Sequence, residues 1–322
     1  MSEIGTGGNT PISNRFSLKG HLSKLGIGLL VFVFLYYVIG MIWIHKVDDD
    51  IKFAPAKEDQ TAGGSLAVDV AAALINREIN ENQWTSNDPF FMPASALDNM
   101  PNYQQGIISA LARFSFELTD QIGRTRGSSQ TDPDLQNAAG LLQYAGDVWS
   151  WDPTVSLLPT ASSEKQYEKA RKSLIAYNKR LADGRAVFEK RADNLLATID
   201  RFALDIGSST AVIDTHIAEH SGAYIDFQAD DLFYGFKGQA YAYYIILEAL
   251  GTDYENLIRE RELGNAWSQM LASFRSVIEL DPYVISNAKT DGQLFPNHLA
   301  VQGFYILRAR TQLREISNIL LK

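Results

Sequence analysis

Residues 25–44 read LGIGLLVFVFLYYVIGMIWI, twenty consecutive positions without a charged side chain. A helix of this length, rising about 1.5 Å per residue, covers roughly the 30 Å of hydrocarbon in a bilayer. A cleaved secretion signal is shorter and ends in a small-x-small site. The nearest such pattern, Ala54-Pro55-Ala56, lies beyond a charged segment and has proline at its centre. The stretch therefore predicts one uncleaved transmembrane helix, because every later apolar run is short and interrupted by polar residues.

The charges on either side of this span predict its orientation. Arg15, Lys19 and Lys24 precede the span, whereas three aspartates, residues 48–50, follow it. Basic residues stay on the cytoplasmic side of a membrane. We therefore expect residues 1–24 to be a cytoplasmic tail and everything after residue 44 to lie on the opposite side of the membrane.

The composition excludes several classes of function. The chain has 29 Lys and Arg residues against 38 Asp and Glu residues, which gives a net charge of −9. An acidic chain is unsuited to general nucleic-acid binding, so no nucleic-acid partner is predicted. The sequence contains no cysteine, which rules out disulfides, thiolate catalysis and cysteine-ligated metals.

The rest of the chain divides into a linker and a domain. Residues 45–64 are polar, contain Pro55 and end in paired glycines, so they predict a tether. Residues 65–322 predict the folded domain. Apolar positions there recur at helical spacing, and we find no run of alternating β-branched or aromatic residues. The predicted fold class is all-α: one N-terminal transmembrane helix followed by a helical-array domain.

The middle of the domain predicts one long helix with a buried face. No proline occurs between Pro159 and Pro282, and apolar residues recur there every seven positions. These positions are Tyr167, Leu174, Leu181, Phe188, Leu195 and Phe202. A second apolar row slips near Gly184, which favours a straight bundle helix, with a coiled-coil dimer as the alternative.

The sharpest local motif is His216-Ile-Ala-Glu219-His220, which matches the H-x-x-E-H arrangement of inverted zinc peptidases. Histidines four positions apart project from one face of a helix, so both rings can reach one zinc ion while Glu219 polarises a bound water. His298 is the candidate third ligand. Under this interpretation Glu219 is the catalytic residue and zinc is the cofactor.

A structural explanation of the histidine motif competes with the zinc site, and we favour it. Ser209 or Thr210 is a candidate N-cap of a short helix that ends at Ser221-Gly222. Both histidines would then lie in the last turns, where positive charge interacts well with the helix dipole. The sequence also offers no distinct downstream glutamate as a ligand. We therefore assign no catalytic residue and no metal here and keep zinc as the alternative.

A second candidate site lies in residues 146–153, GDVWSWDP, which concentrate two indoles and two carboxylates in a predicted loop. Aromatic rings beside carboxylates suit sugar binding, and paired carboxylates cleave glycosidic bonds. Asp147, Trp149, Trp151 and Asp152 are therefore a candidate ligand surface, with peptidoglycan as a candidate ligand. The competing explanation, which we favour, is that a loop tryptophan closes the edge of the core and bonds its indole N–H to a backbone carbonyl.

Six stretches together resemble a family of proteobacterial membrane proteins known as domain of unknown function 2333. They are GMIWIHKVDDD (40–50), NDPFFMP (87–93), LDNMPNYQQG (97–106), FELTDQIGRTRGSSQTDPDL (116–135), KRADNLLATIDR (190–201) and PNHLAVQGFYILRARTQLREISNILLK (296–322). The resemblance extends from about residue 25 to the C-terminus. It implies a Gram-negative inner membrane and supplies no activity, cofactor or catalytic residue.

The leading prediction is a single-pass inner-membrane protein whose periplasmic domain, residues 65–322, acts by binding. Its lipid contact is residues 25–44, and its expected partner is an envelope protein or peptidoglycan. The alternative is a zinc-dependent envelope hydrolase that uses His216, Glu219 and His220.

Overall fold

The computed structural model describes residues 15–44, 46–122, 131–151, 158–222, 226–292 and 295–322. Within these ranges the regular structure is helical, apart from one isolated antiparallel bridge between Asn287 and Asn297. The predicted all-α fold is confirmed. The ten α-helices in the described ranges are α1 (Arg15–Ile44), α2 (Leu66–Asn76), α3 (Asn99–Glu117), α4 (Pro133–Leu142), α5 (Ser163–Ala182), α6 (Ala192–His220), α7 (Phe227–Asp253), α8 (Glu255–Glu260), α9 (Gly264–Ile278) and α10 (His298–Leu320).

Side-chain caps explain where several helices begin. Ser65 caps α2, Asp132 caps α4, Asp226 caps α7 and Asn297 caps α10, each by accepting a backbone N–H of the first turn. Such caps satisfy amides that have no partner within the helix. Pro133 occupies the first position of α4, where a proline loses no hydrogen bond.

The prediction of one long helix through residues 167–202 is wrong. The chain forms α5 and α6 instead, and Gly184 between them has a φ of +71°. Glycine enters this left-handed conformation without steric cost and commonly follows a helix end. Leu174, Leu195 and Phe202 are nevertheless fully buried, and Leu181 and Phe188 are partly buried against the core. The apolar pattern thus identified the buried face but not the break.

Helix α7 forms the centre of the domain. Its residues 240–247 are all buried, a pattern typical of a helix surrounded by other helices. It contacts α2, α3, α9 and α10, while α6 packs mainly on α10 and α5 packs on both α2 and α4. This arrangement brings the N-terminal and C-terminal halves of the domain onto one core.

Two glycines allow α3 and α7 to cross in backbone contact. A Cβ atom on Gly106 would overlap the carbonyl oxygen of Gly235, and one on Gly238 would overlap that of Tyr103. The close crossing places the rings of Tyr103 and Tyr241 with their centroids 6.0 Å apart. These two tyrosines contribute to the junction with α1 described below.

Helix α1 lies outside the core. Its segment His21–Ile44 is 24 residues long, is apolar enough to cross a membrane, and has none of its most apolar 18-residue window buried. Some N-terminal signal sequences also meet these criteria of length and apolarity. Near its end Ile42 is 78 % exposed and Trp43 is 85 % exposed. The helix therefore presents an apolar surface that the domain does not cover.

Candidate functional site

The two histidines of the motif lie in the last turns of α6. The Nε2 atom of His216 lies 2.8 Å from Oδ2 of Asp226, and His216 is buried. The same Asp226 oxygen accepts the side-chain amide of Asn287 at 3.0 Å. Burial alone would raise the pKa of Asp226, but the hydrogen bonds from Asn287 and His216 outweigh it and lower that pKa. His216 therefore already has a carboxylate partner, which ties the end of α6 to the start of α7.

The remaining members of the zinc hypothesis are placed differently. His220 and Glu219 are exposed, and the ring of His220 stacks on that of His216 with centroids 4.6 Å apart. His298 accepts the backbone N–H of Ser286 through Nδ1, at 2.9 Å, and burial lowers its pKa. Within the described ranges no group of three or more His, Asp or Glu side chains is arranged to hold a metal ion.

The caps proposed for a short helix before the histidines need correction. Ser209 and Thr210 lie inside the 29-residue α6, where their hydroxyls bond to the carbonyls of Asp205 and Ile206 one turn earlier. The predicted helix end is correct, because α6 stops at His220. Gly222 follows with a φ of +107° and donates its N–H to the carbonyl of Asn287.

The tryptophan loop, residues 146–151, packs against a second aromatic segment. The carbonyl of Gly146 accepts the indole N–H of Trp84 at 2.8 Å. The ring of Trp149 meets that of Phe91 edge to face, with centroids 5.9 Å apart, and Trp151 is 47 % exposed. Asp147 is described, whereas Asp152 lies outside the described residues. The sugar-binding role of this loop stays a prediction.

The segment that meets Trp149 is the apolar loop, residues 89–97, which reads PFFMPASAL and carries no charge. Phe90 is 83 % exposed, and Phe91, Met92 and Leu97 are also exposed. The loop lies beside α1. The hydroxyl of Tyr37 donates to the carbonyl of Phe90 at 2.7 Å, and that of Tyr36 donates to the carbonyl of Phe91 at 3.2 Å.

The junction is formed by residues 46–53, which follow α1, and by charged and aromatic side chains of the domain. The ammonium of Lys237 binds the carboxylate of Asp49 at 2.7 Å, and Arg77 lies 3.6 Å from that of Asp48. Both basic side chains are buried. Tyr103 and Tyr241 donate hydrogen bonds to the backbone carbonyls of Asp48 and Asp50, each at 2.9 Å.

Behind the junction lies a buried ion pair between neighbouring residues. The guanidinium of Arg77 contacts the Glu78 carboxylate at 2.7 Å, bonds to the hydroxyl of Tyr241, and stacks on Phe53 at 4.8 Å from the ring centroid. Burial raises the pKa of Glu78, although the adjacent Arg77 acts in the opposite direction. Burial alone would lower the pKa of Arg77, but Glu78 and the tyrosines raise it.

The prediction of a free tether over residues 45–64 therefore needs correction. Residues 46–64 contain no helix or strand, but Val47, Ile51 and Phe53 pack against the hydrophobic core and Pro55 is buried. The sequence signal that was available is the aspartate triplet. Its charge indicates orientation, and two of its side chains and two of its carbonyls also bind the domain.

A groove of about 640 Å³ opens beside α3. Its polar wall includes Gln105, Ser109 and Arg113, and Arg113 approaches the Asp205 carboxylate of α6 at 3.7 Å. Glu117 follows one turn along α3. Burial raises the pKa of Glu117 to about 7, despite the nearby guanidiniums of Arg201 and Arg113. The groove is the candidate binding site for a polar partner, and sequence reasoning missed it because its walls come from separate helices.

Comparison with known proteins gives one match. The family model described as uncharacterized protein conserved in bacteria (DUF2333) matches residues 16–221. This range includes α1 from residue 16 onward, residues 46–53, the apolar loop, the tryptophan loop and the whole of α6, whereas Lys237 and Tyr241 of the junction lie beyond it. No curated protein and no solved structure matches the chain. Because the model covers more than half of the chain, the protein belongs to this bacterial family, DUF2333.

Proposed function

We propose that this protein is a single-pass inner-membrane protein whose helical domain acts in the periplasm as a binding or scaffold component of an envelope assembly. In this proposal residues 25–44 cross the membrane with the N-terminus in the cytoplasm. The observation that carries it is the apolar segment of α1, whose most apolar 18-residue window has no buried residue, attached to a domain that buries its own core elsewhere. An apolar helix of this length requires lipid or an equivalent apolar cover.

The junction supports a role in which the anchor and the domain move as one body. Flexible linkers let a domain sample many orientations. Here residues 48–50 are held by two buried basic side chains and two tyrosine hydroxyls. The domain therefore keeps a defined orientation relative to α1, which suits a protein that presents one surface to partners in the same membrane.

The groove beside α3 supports the binding part of the proposal. Arg113 is 38 % exposed at its side chain and lies at the long end of ion-pair distance from Asp205. Its guanidinium is therefore accessible to an acidic or hydrogen-bonding group of a partner. An envelope protein is the proposed partner class, with peptidoglycan as the second. The geometry around His216 offers no comparable support for a hydrolase.

The first test concerns the anchor and its orientation. A reporter active only in the periplasm, fused after Lys322, should be active, and a fluorophore that matures only in the cytoplasm should stay dark there. The mass of the purified protein should include residues 1–44. A mature chain that starts after residue 44 would identify α1 as a signal sequence and refute the anchor.

The second test concerns binding at the groove. A photo-crosslinking amino acid at exposed Ser109 should give a discrete crosslinked product in living cells, because Ser109 lines the groove. Exposed Ser268 on α9 provides the matched control position. The Arg113→Ala substitution should weaken the Ser109 product. Equal crosslinking from both positions would show that the groove has no specific partner.

A further inference from the structure

We infer that the apolar loop, residues 89–97, is a second membrane contact that inserts into the outer leaflet of the inner membrane beside α1. This inference rests on the proposed function, because it requires α1 to cross the membrane. The partner of the loop is then the acyl-chain and headgroup region of a phospholipid surface. The inference depends on the depth of the loop, its backbone bonding and its side chains.

The depth of the loop follows from its contacts along α1. The loop touches α1 at Tyr36, Tyr37 and Gly40, where a side chain on Gly40 would collide with Pro93. If the hydrocarbon ends at Ile44, Gly40 lies about 6 Å and Tyr37 about 10 Å inside it, at about 1.5 Å per residue. The loop therefore lies at the level of the outer leaflet.

If α1 is shifted outward in the membrane, the loop still contacts the membrane, but apolar side chains of α1 leave the hydrocarbon. With the hydrocarbon ending near Gly40, the loop would lie in the headgroup layer. Ile42 and Trp43, which are 78 % and 85 % exposed, would then lie outside the hydrocarbon. Apolar side chains favour an apolar surrounding, so the deeper position is preferred. In both positions the loop reaches the membrane.

The backbone of the loop is bonded in a way that suits an apolar surrounding. Tyr36 and Tyr37 satisfy the carbonyls of Phe91 and Phe90. The carbonyls of Pro89, Met92 and Ala94 accept N–H groups from within the loop. Pro89 and Pro93 have no N–H to satisfy. Unsatisfied polar groups are costly in hydrocarbon, so this bonding lowers the cost of insertion.

The side chains around the loop have the composition of a membrane interface. Phe90, Phe91, Met92 and Leu97 are exposed to different degrees, and Asp88 and Asp98 bracket the uncharged stretch. Trp149 meets Phe91 at the edge of this patch. Tryptophan and tyrosine are enriched at the headgroup level of membrane proteins. Contact with lipid therefore explains the position of Trp149, one of the two candidate sugar-binding tryptophans.

The test is a depth measurement on the full-length protein in nanodiscs of phosphatidylethanolamine and phosphatidylglycerol. Because the chain has no cysteine, the Leu30→Cys, Phe90→Cys and Glu260→Cys variants each carry one nitroxide label. Collision rates with dissolved oxygen and with a water-soluble nickel chelate report lipid and water exposure respectively. Leu30 is the in-membrane reference. Glu260, at the end of α8, is the charged and exposed control.

The expected result is an oxygen-to-nickel ratio at Phe90 that is several-fold higher than at Glu260 and approaches the ratio at Leu30. A low ratio at Phe90 together with a high ratio at Leu30 would overturn this inference and leave the anchor standing. A low ratio at Leu30 would overturn the anchor itself, and this inference with it. Phe90 is so exposed that its replacement leaves the core unchanged, and helical content by circular dichroism checks this.

Discussion

The junction and the end of α6 that carries His216 and His220, the histidine end, both connect parts of the chain through charged side chains. They differ in burial and in the sequence separation of the bonded residues. In the junction Arg77, Glu78 and Lys237 are almost fully buried, and the contact between Lys237 and Asp49 joins the two halves of the chain. At the end of α6, His216 binds Asp226 only ten residues away, beside the exposed His220.

The junction therefore stabilises contacts between distant parts of the fold, whereas the histidine end stabilises one local connection between helices. A buried ion pair left with one partner loses far more than an exposed pair does. The junction also fixes residues 48–50, which follow α1 in the chain, whereas the histidine end fixes one turn between α6 and α7. Changes in the junction should therefore alter both the stability and the anchor geometry, and changes at the histidines should stay local.

The largest effect is expected from Arg77→Met. It leaves the Glu78 carboxylate buried beside apolar atoms, and breaking such a pair costs about 3–5 kcal/mol. Chemical unfolding of the detergent-solubilised protein measures the loss. The double variant Arg77→Met/Glu78→Gln should recover part of the stability, because no charge is then stranded. A loss no larger than that in His216→Gln would remove the distinction between the two regions.

The next effect is expected from Lys237→Met, which removes the ammonium that binds Asp49 and the carbonyl of Leu280. The expected cost is about 1–3 kcal/mol, because a charged hydrogen bond is lost. Amide hydrogen exchange in residues 46–53 should accelerate, since that segment loses a fixing contact. The exposed Lys179→Met is the matched control. Unchanged exchange in Lys237→Met would mean that Arg77, the tyrosine hydroxyls and the apolar packing hold the segment without Lys237.

The sequence predicted the fold class better than it predicted where individual helices begin and end. Heptad spacing identified Leu174, Leu195 and Phe202 as core residues because burial depends on local periodicity. It could not locate the break at Gly184, since a glycine inside an apolar pattern is tolerated in many helices. The proposed caps Ser209 and Thr210 lie inside α6, because serine and threonine hydroxyls also bond to carbonyls one turn earlier within a helix.

The candidate sites were harder to predict for a related reason. The histidine motif is conspicuous because its members are adjacent in sequence, yet the Asp226 partner of His216 was not proposed. The partners in the junction are separated by long stretches of chain, so only the three-dimensional packing of α2, α3 and α7 reveals them. The contact of the apolar loop with α1 joins residues about fifty positions apart, so sequence spacing does not indicate it.

A smaller effect separates the two histidines from each other. His216→Gln should cost about 1–2 kcal/mol, because a buried hydrogen bond to Asp226 is weakened. His220→Gln should change the stability by less than about 0.5 kcal/mol, as for most exposed positions.

Thermal unfolding with and without added zinc measures both the stability of these variants and zinc binding. We expect zinc to leave the melting temperature unchanged, because a ligand that binds only the folded state would raise it. A rise in wild type that is lost in both variants would restore the zinc site.

The smallest expected effect is the pH dependence contributed by Asp226. Hydrogen bonds from Asn287 and His216 lower its pKa in the folded state. A carboxyl with a lowered folded pKa stabilises the protein above its unfolded pKa of about 3.9, and this contribution is lost as the pH falls through the folded value.

Wild type should therefore lose more stability between pH 6 and pH 3 than Asp226→Asn does. The difference should be smaller than the effects above, and asparagine retains the capping role at the start of α7. The exposed Asp214→Asn on α6 is the control. Equal acid sensitivity of wild type and Asp226→Asn would show that the histidine end contributes no charge-dependent stability, which would sharpen its contrast with the junction further.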